Sequence, residues 1–152
     1  MVTGGASVGE RDYAKSIFES GLDLVFSKVA MKPGKPVWLG HSRGRLILGL
    51  PGNPTSAMVT ARLFLAPLIA GLVGRDPNLA LKWRPAKLLT SLSATGERET
   101  FVRARWSGDM VEVLADQDSS AQRALAAADL LVRRPAFAPA SPSGETVDIL
   151  DF

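Results

Sequence analysis

Apolar and polar positions change rhythm near the middle of the chain. In the first half, helix-like and strand-like stretches alternate between glycine turns. Asp12 to Ser20 predicts a short helix, capped by Asp12, with Tyr13, Ile17 and Phe18 on its apolar side and Gly21 at its end. Leu24 to Ala30 predicts a strand, apolar and rich in β-branched residues. Val37 to Gly40 and Leu46 to Leu50 predict two more, with Ser42-Arg43-Gly44-Arg45 as the hairpin turn between them. Pro51-Gly52-Asn53-Pro54 is a turn on both proline and glycine grounds. Thr55 to Val73 predicts a long apolar helix, because Met58, Ala61, Leu65, Leu68 and Leu72 recur at spacings of three and four. Pro67 is expected to kink or divide it, and Gly74 to stop it.

From about Lys82 the pattern shortens. Ala86 to Leu92, Thr100 to Trp106, Val111 to Leu114, Leu130 to Arg133 and Thr146 to Leu150 read as strands, with turns at Gly96, Gly108-Asp109 and Ser143-Gly144. Strands at this spacing suggest a small barrel or sandwich. A short helix, Ser120 to Ala128, interrupts them, and Ala138 to Ser143 is a proline-rich loop. The chain therefore divides into an α/β portion, residues 1–76, and a β-rich portion, residues 82–152, with the boundary near Arg75 to Leu81.

Composition narrows the chemistry. A chain of 152 residues buries roughly 68–70% of its unfolded surface, enough for a real core. There is no cysteine, so disulfides, thiolate metal sites and cysteine nucleophiles are excluded. A single histidine, His41, excludes a three-histidine zinc site; it precedes the hairpin turn and is assigned no role. The most apolar run, Leu63 to Val73, is far short of the ~20 residues of a membrane span. The first residues lack the order of a signal peptide, and a cytoplasmic protein with no membrane partner is the expectation. Charge is uneven: the first 76 residues carry nine Lys/Arg against five acids, net +4, and the remainder nine against ten, net −1. That mild excess suits a small anionic ligand better than nucleic acid.

Three stretches carry candidate chemistry. Thr3-Gly4-Gly5-Ala6-Ser7-Val8-Gly9 precedes a helix, and its glycines let backbone N–H groups approach an anion. It is neither a Walker A loop nor a GxGxxG fingerprint, and a plain N-terminal turn would look similar. Lys32-Pro33-Gly34-Lys35-Pro36 sets two ammonium groups on a stiff turn, suited to a phosphate or a tetrahedral oxyanion. Taken alone it reads better as a solvated turn with two exposed lysines. Pro51-Gly52-Asn53-Pro54-Thr55-Ser56 lies between a strand end and a helix start, where open α/β sheets bind ligands. Its other reading is a helix N-cap.

Together these stretches carry a resemblance. The first loop with Asp12, then Val29 to Pro36, then Gly49 to Ala57, closely resemble the molybdopterin molybdenumtransferase family, whose fold also occurs in the E domain of gephyrin. Phe101-Val102-Arg103, Gln117-Asp118-Ser119-Ser120 and Gly144-Glu145-Thr146-Val147 resemble the family's C-terminal β-barrel-like domain more weakly. The resemblance implies an α/β fold: part of a three-layer molybdopterin-binding domain followed by a small all-β barrel-like domain. It implies insertion of molybdate into adenylated molybdopterin with release of AMP, assisted by Mg2+. Molybdate would be held by Lys32, Lys35, Ser56, Arg103 and Ser119. Asp12, Lys32 and Lys35 would serve catalysis, with Asp12 also the candidate metal ligand or, alternatively, a plain helix cap. Thr3, Gly4, Gly5, Ser7, Gly9, Pro51, Gly52, Asn53 and Pro54 would face or shape the pterin-nucleotide site.

The family's members are longer and carry further domains ahead of this region. A sheet lacking those strands exposes an edge. The expectation is a homo-oligomer such as a dimer, completion by an N-terminal polypeptide, or a piece of a longer chain, incomplete as an enzyme alone. Partners would be small-molecule substrates. The competing readings are a non-catalytic interaction module on the same fold, a general phosphate-binding domain, and a decayed product.

Overall fold

The computed structural model describes residues 1–3, 18, 21–118 and 122–152. Of the helix expected over Asp12 to Ser20, only Phe18 is among them; the rest lies outside the described residues.

The first sheet has four strands in the order β1-β5-β4-β2. These are β1 (Val2–Thr3), β2 (Asp23–Ser27), β4 (Trp38–Ser42) and β5 (Arg45–Leu50). β1 runs parallel to β5, pairing Thr3 with Leu50; β2, β4 and β5 are antiparallel. The β4–β5 hairpin closes as the sequence predicts, with Arg43 at φ 50° and Gly44 at φ 72°. Both central residues are left-handed, the backbone of a type I′ turn. Alternation sorts the side chains. Trp38 and Ile47 face one side, against Val2, Phe18 and Leu22, while Leu48 and Leu50 face the other.

Helix α1 (Pro54–Leu72) covers that second side through Val59, Phe64 and Leu68. It does not divide at Pro67. A π-helical turn, Ala61–Leu65, precedes the proline, and the Ala66 N–H bonds to the Ala61 carbonyl, five residues back. Pro67 lacks an N–H and would clash with the carbonyl of an ordinary α turn; the wider register relieves both, so the helix continues. At 19 residues it is long and apolar enough to span a bilayer by length and composition, longer than the Leu63 to Val73 run suggests. Only 28% of that stretch is buried: Val59, Phe64 and Leu68 pack toward the sheet, while Met58, Ile69 and Leu72 are exposed.

The strand expected over Leu24 to Ala30 is shorter than that: only Leu24 to Ser27 is strand, as part of β2. β2 stops at Ser27 because Lys28 turns left-handed, φ 68°. The chain then forms β3 (Met31–Lys32), which leaves the first sheet and pairs parallel to β7 of the second, Met31 with Glu99 and Lys32 with Thr100.

The second sheet holds β3 with β6 (Arg84–Leu88), β7 (Glu99–Ser107), β8 (Met110–Val113), β9 (Leu130–Arg134) and β10 (Thr146–Asp151). Five of them close into a barrel, β7-β8-β6-β10-β9 and back to β7. Closure rests on the length of β7: residues 100–104 pair with β9 and 104–107 with β8, so Ala104 is shared. Leu88, Val102, Val111, Leu130 and Ile149 fill the interior. The strand expected to reach Leu92 ends at Leu88; Leu92 makes an isolated bridge to Ser141. The helix expected over Ser120 to Ala128 is observed as α2 (Gln122–Ala126).

Arg62 fastens α1 to the barrel side. Its Nε donates to the Asp151 carbonyl at 2.8 Å and its Nη1 to the Ala80 carbonyl at 2.8 Å. Burial lowers its pKa, with Asp151 acting in the opposite direction.

Candidate functional site

The segment from Lys32 to Pro36 is a hydrogen-bonded turn. Val37 N–H donates to the Gly34 carbonyl at 3.0 Å, and Val29 N–H to that of Lys35 at 2.9 Å. Gly34 sits at φ 109°, and a Cβ there would fall on the Thr60 methyl and within 3.3 Å of Met31 Cε. Only glycine lets this turn lie so close to α1. Lys32 and Lys35 remain exposed at its two ends. Neither joins the described ion pairs, which are Arg84–Asp151, Arg105–Glu112 and Arg133–Glu99.

Opposite the turn, α1 begins. Asn53 caps it, its side-chain oxygen accepting the Ser56 N–H at 3.3 Å. Ser56 is nearly buried, and its carbonyl accepts the Thr60 hydroxyl at 2.7 Å. The third wall comes from the barrel. Arg103 on β7 is 1% exposed. Its guanidinium donates to the carbonyls of Asp116 and Asp118, at 3.2 and 2.9 Å, and to the Thr55 hydroxyl at 3.4 Å. Gln117 brackets its backbone, accepting from Arg103 N–H at 3.0 Å and donating to its carbonyl at 2.9 Å. Burial lowers the Arg103 pKa; Asp116 and Asp118 oppose that shift. An arginine stays charged under these conditions. Arg103 is therefore a buried cation that also ties residues 116–118 to the start of α1.

Lys32, Lys35, Ser56 and Arg103 thus line one cleft of about 620 Å³. Two strands of different origin make this possible, since β3 brings Lys32 beside Thr100 while β7 carries Arg103. Other expected residues do not line it. Pro51 is buried, Asn53 is spent on the cap, Gly52 and Pro54 are exposed beside it, and Thr3 ends β1 next to Leu50. Gly4, Gly5, Ser7, Gly9, Asp12 and Ser119 lie outside the described residues. Arg98, Thr100 and Gln117 line the cleft without having been singled out for a role. Gln117 sat in a recognised motif; Arg98 and Thr100 gave no signal beyond their place before Arg103.

The described part of the cleft is rich in cations, with Asp118 its one carboxylate among the described lining residues. Such a set favours a compact multivalent anion. It does not suit a hard divalent cation, which takes several oxygen ligands. Among the described residues no group of three or more His, Asp or Glu side chains is placed to hold a metal ion. The described residues do not fit a resident Mg2+.

A probable molybdopterin binding domain matches residues 1–71, and the MoeA C-terminal region (domain IV) matches residues 85–152. The chain is 36% identical to the molybdenum cofactor synthesis protein cinnamon of Drosophila melanogaster, covering 98% of this chain and 26% of that protein. It is 33% identical to a molybdopterin molybdenumtransferase of Bacillus subtilis, covering 99% of this chain and 36% of the relative. A solved molybdopterin biosynthesis MoeA protein from Pyrococcus horikoshii superposes with TM-score 0.78 at 26% identity, over 92% of this chain and 34% of that one. The chain spans between a quarter and two fifths of the length of these relatives.

Proposed function

This chain belongs to the molybdopterin molybdenumtransferase family of molybdenum cofactor biosynthesis, and from that membership we propose that its cleft binds molybdate as a substrate. The observation that carries the reading is the convergence of Lys32, Lys35, Ser56 and Arg103 on one cleft from three separate elements. A tetrahedral dianion is held best by cations and hydroxyl donors arriving from several sides. The two exposed ammonium groups supply point charges, the Ser56 hydroxyl a neutral donor, and buried Arg103 a positive field with the 116–118 wall held in place.

In the reaction we assign, molybdate is inserted into adenylated molybdopterin, the phosphoanhydride is cleaved and AMP leaves. The same cations oppose the negative charge that gathers on the departing phosphate. Ser119, Asp12 and the Thr3 to Gly9 loop enter this proposal on the resemblance alone. The share of its relatives that this chain spans supports turnover that draws on surface beyond these 152 residues.

The test is calorimetric titration of the chain with molybdate, beside a Lys32→Ala/Lys35→Ala double variant. Saturable binding that the folded double variant loses is the expected result. Binding that survives the double substitution, or none by the folded parent chain, overturns the assignment.

A further inference from the structure

The last rung between β7 and β8 is not closed by backbone alone. β8 pairs with β7 as far as Ala104 opposite Val113, which sets Leu114 opposite Arg103. Leu114 N–H donates to the Arg103 carbonyl at 3.1 Å. The return bond runs through a side chain. Arg103 N–H donates to Gln117 Oε1 at 3.0 Å, and Gln117 Nε2 donates to the Leu114 carbonyl at 2.7 Å. Nε2 also donates to the Arg103 carbonyl at 2.9 Å. One amide thus stands in the rung like a wedge and keeps the ladder from closing directly.

Beyond the wedge the chain turns back over Arg103. Asp116 Oδ1 accepts the Asp118 N–H at 2.9 Å, which folds the segment. The carbonyls of Asp116 and Asp118 then both meet Arg103 Nη2. Residues 114–118 therefore grip Arg103 twice, at its backbone and at its guanidinium, and from that grip the guanidinium reaches Thr55 at the start of α1. Gln117 itself lines the anion cleft. Both its amide hydrogens are spent on carbonyls, and its remaining polar atom is an acceptor, so it offers an anion no donor.

We propose that Gln117 is a positioning residue for the anion cleft: its amide wedge sets where residues 116–118 leave the ladder, and so where the Arg103 charge stands relative to Ser56 and the lysine turn. The proposal rests on the oxyanion reading above for its ligand, and on the hydrogen bonds alone for the wedge. Without the amide, Arg103 N–H and the Leu114 carbonyl lose their partners, which is costly for groups in a barrel wall. They regain them by meeting each other. That movement draws residues 115–118 toward β7 and carries two carbonyls off the guanidinium, while the pairing of β7 with β9 is untouched.

Gln117→Met keeps the length of the side chain and removes its hydrogen bonds. Titrated with molybdate, the folded variant should bind about tenfold more weakly than the parent. In an Arg103→Lys background the same change should cost about twofold or less, because the fork that the two carbonyls hold is already gone. Ile149→Val loosens the barrel interior away from the cleft and should leave molybdate affinity unchanged. Additive losses in the double variant, a Gln117→Met affinity equal to the parent's, or an equal loss in Ile149→Val each overturn the proposal. Nuclear magnetic resonance of the Arg103 guanidinium N–H groups needs neither ligand nor double variant. Their signals should shift and exchange faster with water in Gln117→Met, and keep the parent's behaviour in Ile149→Val. Unchanged signals in Gln117→Met refute the wedge. Failure of the parent chain to bind molybdate sinks the oxyanion reading alone, and the Arg103 signals then decide the wedge by themselves.

Discussion

Substituting Gly34 by alanine tests whether the lysine turn is held against α1 by close contact. Two costs arise. The residue sits at φ 109°, where an L side chain is strained by about 1–3 kcal/mol. The new methyl also falls on Thr60 Cγ2 and lies 3.3 and 3.5 Å from Met31 Cε and Sδ. Thr60 and Met31 are themselves buried, so neither can simply retreat into solvent. Overpacking of this kind costs about 1–3 kcal/mol. The total of roughly 2–6 kcal/mol is a large part of a typical 5–15 kcal/mol stability. Thr60→Ser separates the two costs. It removes the obstructing methyl and keeps the hydroxyl that bonds the Ser56 carbonyl. By itself it should cost about 1 kcal/mol for the lost methyl. In the double variant the steric part should be recovered, giving a coupling of about 1–2 kcal/mol, while the φ strain remains. Urea unfolding of the four proteins measures this, with constant m-values required for the comparison. Molybdate titration should show weaker binding in Gly34→Ala and partial rescue in the double variant. A Gly34→Ala change below about 1 kcal/mol, or no coupling to Thr60→Ser, would refute the contact as the reason for glycine.

Two further outcomes follow from the packing. A Cβ at Gly49 would enter the indole of Trp38, so Gly49→Ala should destabilise the chain by about 1–3 kcal/mol in urea melts and alter the tryptophan fluorescence. Arg62→Ala removes two carbonyl contacts that join α1 to Ala80 and Asp151, and should lower stability by about 2–4 kcal/mol in the same assay; an unchanged midpoint would show that the clamp carries no load.

Some of this was legible in the sequence for clear physical reasons. The β4–β5 hairpin announces itself, because Arg43-Gly44 lies between two apolar stretches and a two-residue turn needs left-handed backbone. Helix α1 is legible from the spacing of Met58, Ala61, Leu65, Leu68 and Leu72. What Pro67 would do was not, since the π turn ahead of it depends on hydrogen-bond register rather than on residue type. β3 was invisible as an element: two residues carry no period, and its partner β7 lies more than sixty positions away. That pairing is also why Lys32 and Lys35 could be singled out while Arg98 and Thr100 could not. The lysines stand in a compact turn with its own chemistry, whereas Arg98 and Thr100 reach the cleft only because β3 docks on β7. Arg103 was legible as a candidate, yet its bonds to Asp116, Asp118 and Thr55 belong to tertiary structure.

The pairing of β3 with β7 also governs how these sequences can be recombined. A chimera joined between Arg75 and Leu81 looks clean along the chain, because it leaves every long element whole. It nonetheless takes Met31 and Lys32 from one parent and Glu99 and Thr100 from the other, and so splits a strand pair. Only parents whose residues match at that seam would reassemble both cleft walls, and exchange of the second half should be tolerated according to that register rather than to overall identity.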